Sequence, residues 1–552
     1  MKIPFITSLL ERRARRRLRR MMRGYRALLA SGCLSRIPAL HSALTVMPLS
    51  MSPSGFSVRF LGVSVGNAEL SVRQYLLSLV GGTKLTKAVL SAVGAQGSKV
   101  VHPLPPEWRR VLRQHGFDVA MFGSSVLWAG WVVLVFSYGL VCATRAVLGN
   151  LRASLSQGAD MRRYAHFEGL APGNLPRPGK DGRSHDIVTW YLQWNGRPTD
   201  LDAVTHTVQG QAATTTSGTP VLPVLSPYPP LRLDASIRLL GWTVTAVVRA
   251  LFDLARGRWW HAVLLKEAVR AAEVRFQVPA RLAADYLFHN SSWIYRPLWT
   301  YEAERAGART LFYFYATNTE TFKNADGYPE IVYGYRSMSW THYLVWDDYQ
   351  ARFIRRCVGE NARISVVGSV WFNSSYAELS DVGTCAVAVF DVQPHRESRY
   401  RTLGLATEYY VPRVARQFLL DIHAVLQECG SEMVLKRKRQ IGRILHPRYR
   451  SVVEQLGRSS GFTAVDPEIS ALRVIEACAA VISMPFTSTA LLGRDLGKPS
   501  VFYDPFGMVA KDDRAAHGIE VLCGRNELRS WLIRVFGHLK ATRAEAAARR
   551  LV

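Results

Sequence analysis

From Asp285 to Tyr503 short apolar runs alternate with longer amphipathic ones, and this alternation constrains the fold more than any single residue does. The runs DYLFH (Asp285–His289), TLFYFY (Thr310–Tyr315), THYLVW (Thr341–Trp346) and RISVVG (Arg363–Gly368) read as strands. Helices are predicted between them at Arg296–Gly307 and Asp347–Val358. A second series begins at CAVAVFD (Cys385–Asp391) and continues through strands MVLK (Met433–Lys436), FTAV (Phe462–Val465), AVIS (Ala480–Ser483) and SVFY (Ser500–Tyr503). Its predicted helices are Pro412–Cys429, Arg448–Leu456, Ile469–Ala477 and Ser488–Leu496. Strand–helix–strand units of this kind build parallel sheets covered by helices. The expected class is α/β: two doubly wound, Rossmann-like domains facing a cleft and joined near residues 370–381. Ligands in such sheets sit beyond the carboxyl ends of the strands.

One junction carries chemistry. In AVISMPFTSTALLGRDLGKPSVFYDP (Ala480–Pro505), Thr487, Ser488 and Thr489 lie where a strand hands over to a helix. Their hydroxyls join free backbone N–H groups at the positive end of the helix dipole, which is a site for an anion, most often phosphate. The same residues can instead cap an ordinary helix, and local pattern alone favours the cap. The cations Lys436, Arg437, Lys438 and Arg439 follow MVLK directly. Such a run usually forms a solvated face, but a strand-end position directs part of it toward the cleft.

The chain has 552 residues, a formal net charge of +28 and a hydrophobic fraction of 48%. A basic balance of this size implies a polyanionic partner: nucleic acid, anionic lipid or acidic sugar intermediates. Seven cysteines (33, 142, 357, 385, 429, 478 and 523) are scattered without a CxxC pair, so reduced thiols are expected and a zinc site is not. No GxGxxG or GxxxxGK[ST] falls at a strand–helix junction, which argues against dinucleotide and P-loop readings. Asp347 and Asp348 open a helix rather than forming a metal-binding DxD loop.

The amino-terminal part reads differently. Residues 1–100 form a basic region containing RRARRRLRRMMRGYR (Arg12–Arg26), which suits either an arginine-dense helix on an acidic surface or a poorly ordered tail. Residues 101–160 include an uncharged run, Val119–Thr144, long enough to span a bilayer. Basic residues flank it on both sides, so no orientation follows, and a helix lying in or dipping into the cytoplasmic leaflet is favoured over a full span. His185–Trp194 (HDIVTWYLQW) is expected to be a strand, residues 209–230 a loop, and Ile237–Phe276 a helical region broken near Gly257.

SMPFTSTALLG (Ser483–Gly493) and GKPSVFYDP (Gly497–Pro505) resemble bacterial polysaccharide biosynthesis proteins with a PFTS motif. The resemblance extends to HDIVTWYLQW, FHNSSWIYRPLWTYEAERAG, FYFYATNTE, HYLVWDDY, VVGSVWF, VFDVQPHR and LKRKR, covering roughly residues 102–525. It implies a GT-B-like glycosyltransferase of capsule or O-antigen assembly, with residues 161–375 as the acceptor-side domain and 376–552 as the nucleotide-sugar domain. The donor phosphate would then meet Thr487, Ser488, Thr489, Lys436, Lys438, Arg439 and His446, the last by similarity to a His-Pro element of sialyltransferases. Pro485, Glu476 and Asp504 are candidates for the nucleotide and its ribose. A catalytic base is sought among His289, Asp391 and Glu302, at or just after strand ends.

The resemblance further implies a nucleotide sugar as substrate with no cofactor or metal, and a lipid-linked or polymeric glycan acceptor. It also implies an anionic membrane surface as partner, at the cytoplasmic face of the bacterial inner membrane. Nucleic acid is not the expected partner. Two other readings stay open: a polyol-phosphate (glycerophospho-type) transferase of the same fold, and a non-catalytic glycan-assembly or nucleic-acid-binding protein.

Overall fold

The computed structural model describes residues 4–49, 60–154, 163–176, 186–290, 295–317, 319–370, 379–394, 409–437 and 445–550. Eight strands form the amino-terminal sheet: β1 (Tyr164–Phe167), β2 (Ala203–His206), β3 (Thr214–Thr216), β4 (Thr219–Pro223), β5 (Asp285–His289), β6 (Arg309–Tyr313), β7 (His342–Val345) and β8 (Arg363–Val366). Their spatial order is β3-β4-β2-β1-β5-β6-β7-β8. All neighbours are parallel except β3 and β4. That hairpin lies inside the predicted loop at residues 209–230. Its two-residue turn, Ser217 (φ 50°) and Gly218 (φ 76°), has the positive φ pair that matches the twist of a tight hairpin.

The carboxy-terminal sheet contains β9 (Val387–Phe390), β10 (Met433–Lys436), β11 (Phe462–Val465), β12 (Ala480–Ser483), β13 (Ser500–Asp504) and β14 (Val521–Cys523). All six are parallel, in the order β11-β10-β9-β12-β13-β14. Counted from β9, this is the dinucleotide-fold order in which the chain winds outward, returns to the middle and winds the other way. The direction reverses between β9 and β12. In the amino-terminal sheet it reverses between β1 and β5.

Two expectations about local structure change. Residues Ile187–Gln193 are a helix, not a strand, because the Asp186 carboxylate accepts the amides of Val188 and Thr189, each at 2.9 Å. The β-branched and aromatic content of this segment reflects burial on all sides, not pleating.

The described part of the first hundred residues is helical rather than a loose tail, with helices Pro4–Ala30, Arg36–Val46, Val65–Leu79 and Gly82–Val93. Pro4–Ala30 crosses the end of Gly82–Val93 at two glycines. A Cβ on Gly24 would lie 2.0 Å from the Leu90 carbonyl oxygen, and one on Gly94 would lie 1.9 Å from that of Arg20. Only glycine permits this approach. Gln74, fully buried, ties these helices to the sheet domain by accepting the Arg296 amide at 3.1 Å and donating to Ser339 Oγ at 3.1 Å.

The uncharged run becomes the helix Met121–Ala153, and the long helical region splits into Leu233–Ala255 and Trp260–Arg275. Met121–Ala153 and Leu233–Ala255 are each long and apolar enough to cross a membrane. Trp260–Arg275 lies beneath both and is buried along most of its length.

The two sheet domains meet through polar contacts and one aromatic cluster. Asp513 accepts from the Lys323 amide (2.8 Å) and the Tyr328 hydroxyl (3.1 Å). Asp347 caps the helix Asp348–Val358, as its position predicts, and also pairs with His517 at 2.8 Å and Arg494 at 3.4 Å. Phe322 packs on Phe486 with ring centroids 4.9 Å apart.

Candidate functional site: the crevice between two switch points

The reversal between β9 and β12 opens a crevice at their carboxyl ends. Strand register aligns Phe390 with Ser483 on one side and with Lys436 on the other. Asp391, Arg437 and Met484 therefore leave the sheet at one level. Burial pushes the Asp391 carboxyl up to about 6, against the opposing pull of the Tyr449 hydroxyl bonded to Oδ2 and the Arg437 charge. Asp391 Oδ1, together with Arg437 Nε and Nη1, is a buried polar atom without a hydrogen-bond partner among the described residues. Polar atoms buried without a partner are costly, and these lie together beside a switch point.

The PFTST turn forms the other wall. The chain leaves β12 through Met484, whose amide donates to the Phe390 carbonyl at 2.8 Å. Phe486 adopts φ 53°, a left-handed conformation that a bulky side chain rarely holds, and is buried between Phe322 and Phe502. The Pro485 carbonyl accepts from Tyr410 at 2.6 Å.

The helix Ser488–Asp495 has no side-chain cap; the hydroxyls of the turn go elsewhere. Thr487 Oγ1 donates to the Met484 carbonyl at 2.8 Å, and Thr489 Oγ1 lies 2.8 Å from Ser483 Oγ. Ser488 Oγ accepts the amide of Thr317 from the other domain at 3.0 Å. The turn is thus a bent, strained connection whose hydroxyls orient its backbone and whose tip touches the amino-terminal sheet domain.

The amino-terminal switch point faces this wall through the loop carrying Thr317. His289 ends β5, is buried, and its Nε2 lies 3.0 Å from the Gly169 carbonyl. Burial holds its pKa below the ordinary imidazole value, so the ring stays neutral near pH 7. Glu168 follows β1, with its amide donating to Leu287 and its Oε2 3.3 Å from His166 Nε2. Burial would raise this carboxyl, but the hydrogen bond from His166 and the Arg270 charge help to outweigh it, leaving the pKa lowered. An ionised carboxylate and a neutral imidazole therefore share this edge.

The remaining candidates divide by position. His446 caps the helix Pro447–Leu456, its Nδ1 accepting from Arg448, and its own amide donates to Pro394 just beyond β9. It therefore stands beside the crevice. Lys436 turns aside: its ammonium donates to the carbonyls of Pro467 (2.9 Å) and Arg437 (3.2 Å), and burial brings its pKa down to about 8. Lys438 and Arg439 lie outside the described residues.

Two expected positions are corrected, and a third is engaged within the fold. Glu302 is buried against the helix layer, where it pairs with Arg275 and Arg305, each at 2.6 Å. Glu476 is exposed in the last turn of the helix Ala471–Ala477. That helix runs back against the strands, so its end lies at the amino edge of the sheet, away from the crevice. Asp504 is at the right edge, but its two oxygens accept the amides of Phe506 (3.1 Å) and Val509 (2.8 Å) and shape the turn after β13.

Sequence reasoning names Arg437 only as part of the cationic run and does not single out Tyr449 or Glu168. Arg437 sits in the cationic run and Glu168 directly follows the YAHF strand, so the strand-end rule that selected Asp391 reaches both. Tyr449 carries no such signal.

Two doubly wound α/β domains with facing switch points define a protein of GT-B type architecture. The family model described as "Polysaccharide biosynthesis PFTS motif protein" matches residues 242–532, and the chain belongs to that family. Its Pro485-Phe486-Thr487-Ser488 is the turn described above.

Among solved structures, the chain is similar to a variant of the wall teichoic acid polymerase TagF (8% identity, 74% of this chain and 90% of that one, TM-score 0.37). It is also similar to the UDP-GlcNAc 2-epimerase of Methanocaldococcus jannaschii (8% identity, 68% and 92%, TM-score 0.34). A further likeness is to apo UGT2 of Phytolacca americana (9% identity, 67% and 83%, TM-score 0.27). These likenesses are too distant to bear on activity. No curated protein sequence matches the chain.

Proposed function

We propose that the protein is a glycosyltransferase of surface-polysaccharide assembly, of the capsule or O-antigen kind. It would take a nucleotide sugar into the β9–β12 crevice and pass the sugar to a lipid-linked or growing glycan at the membrane's cytoplasmic face. The observation that supports this reading is the set of buried polar atoms without a partner among the described residues, Asp391 Oδ1 and Arg437 Nε and Nη1, beside the PFTST turn. Arg437 offers a fork of donors matched to phosphate oxygens, and Asp391 accepts from a hydroxyl or ring N–H of the nucleotide.

The leaving phosphate gains stabilisation from Arg437 and from the amides that open the helix Ser488–Asp495. The reading therefore asks for no cofactor and no metal; the nucleotide sugar is a substrate. On the acceptor side, Glu168 and His289 are the groups able to take the proton of an attacking hydroxyl. Glu168 is ionised and partly open, whereas His289 has Nε2 engaged with Gly169.

The test is calorimetric titration of the full chain with CMP, UDP, GDP, dTDP and CDP, followed by the matching sugar nucleotides, for wild type and Arg437→Ala. The reading expects one nucleotide to bind selectively and the variant to lose about tenfold or more in affinity. Equal, weak binding of all five by both proteins would overturn it. A selective response to CDP-polyol alone would favour polyol-phosphate transfer on the same scaffold.

A further inference from the structure

The helices Met121–Ala153 and Leu233–Ala255 are long enough to cross a bilayer, yet their packing is that of helices laid along a domain. Met121–Ala153 buries a stripe from Ser124 through Trp128, Val132, Phe136, Gly139 and Ala143 to Asn150, which spans nearly its whole length. Both ends of the stripe carry polar side chains locked into the domain. Ser124 Oγ receives the His102 amide at 3.3 Å, and Asn150 bonds Glu273 Oε1 at 2.8 Å and the Leu231 amide at 2.8 Å.

The middle of the stripe rests on Trp260–Arg275, where a Cβ on Gly139 would lie 3.1 Å from Leu265 Cβ. That inner helix carries Lys266, Glu267, Arg270 and Glu273. A transmembrane placement would draw these charges into hydrocarbon or tear the helix from its bed, and either is costly.

The opposite face is apolar and open. Phe122 (84% exposed), Val126, Val133, Leu134 (67%), Tyr138 and Val141 continue on the neighbouring helix as Ile237, Leu240, Val244, Val248 (61%) and Phe252. Exposed arginines rim this face: Arg110 and Arg113 before the first helix, Arg145 and Arg152 at its end, and Arg232, Arg238 and Arg256 on the second. Exposed anions at the rim are fewer, Asp118 and Asp234, and Asp234 is paired with Arg238 at 3.0 Å. An apolar centre with a cationic border matches the interface of an anionic leaflet.

We infer that these two helices lie side by side in the plane of the membrane and insert their outer faces into one anionic leaflet without crossing it. This deepens the membrane-surface location proposed above and takes only the choice of partner from it.

The test uses the full chain and two assays. In flotation with vesicles of phosphatidylcholine alone or with added phosphatidylglycerol, binding should favour the anionic vesicles. Leu134→Glu and Val248→Glu, both at exposed positions, should reduce it about tenfold or more while circular dichroism stays unchanged. In intact spheroplasts of an expressing bacterium, external trypsin should leave the chain whole and cut it only after lysis.

A fragment cut near Arg113 or Arg152 from outside would show a crossing helix and overturn the inference. So would a stable dimer in solution that binds neither vesicle, since a second copy would then cover the face. Nucleotide titration of the two Glu variants separates the readings, because in-plane docking predicts unchanged nucleotide affinity.

Discussion

The hydroxyl of Ser488 and the backbone amide of Thr317, 171 residues apart in the chain, form a 3.0 Å hydrogen bond that joins the PFTST turn to the amino-terminal sheet domain. The residue expected to hold a phosphate thus also reports whether the two domains are closed. Ser488→Ala leaves the Thr317 amide unpaired at a part-buried position. We expect a loss of about 1 kcal/mol of stability and faster amide exchange at Thr317, measured by hydrogen–deuterium exchange. Unchanged exchange at Thr317 would show that the contact does not hold the domains together.

Asp391 sets a pH dependence with a definite sign. Burial raises its folded-state pKa from 3.8 to about 6, so folding takes up a proton across that window. The penalty is absent below about pH 4, grows as pH rises, and is complete above about pH 6. Asp391→Asn should therefore stabilise the protein by about 1–3 kcal/mol at pH 7.5 and by almost nothing at pH 4. It should also weaken nucleotide binding. Thermal denaturation of both proteins across this range measures the first effect; a gain that does not shrink toward pH 4 would refute the assignment.

Arg437 is expected to matter more than its neighbour Lys436. Arg437→Ala should reduce nucleotide affinity about tenfold or more, while Lys436→Met should act mainly on stability through the lost bonds to Pro467 and Arg437. A titration in which Lys436→Met loses more affinity than Arg437→Ala would place the phosphate on the other side of β10.

The glycine crossing gives a steric prediction. Gly94→Val drives a side chain into the Arg20 carbonyl, which a Cβ would approach to 1.9 Å. The Pro4–Ala30 helix should separate from Gly82–Val93, and limited trypsin digestion should cut between Arg12 and Arg26 several-fold faster than in wild type. Equal digestion rates would mean that the two helices are not held by this contact.

How legible the fold was depended on how local its causes are. Strands β10, β11 and β12 fall on the predicted residues because each is a short run bounded by polar or turn-forming segments; β10 and β12 are buried on both faces, whereas β11, at the sheet edge, is only partly covered. Ile187–Gln193 was misread because Asp186 decides its conformation, and a capping carboxylate weighs little in a composition that otherwise suits a strand.

The strand-end rule places Asp391, His289 and the PFTST turn at the carboxyl edges of the sheets, where the structure has them. It failed at Glu476 for a geometric reason, since a helix returning between parallel strands carries its last turn to the opposite edge. It failed at Glu302 because one partner, Arg275, comes from a helix 27 residues upstream, and no local pattern announces that ion pair.

The helix Trp260–Arg275 joins two surfaces that sequence alone keeps apart. Lys266 stands over the Tyr138 ring of the outer helix at 5.4 Å, and about one turn onward Arg270 lends its charge to Glu168 at the edge of β1. Lys266 and Arg270, four residues apart, share one face of the helix, so the same side of it meets the outer helix and the β1 edge. On a bilayer that helix would hold the β1 edge at a fixed reach from the lipid-facing layer, and an acceptor's reactive hydroxyl would have to come within that reach.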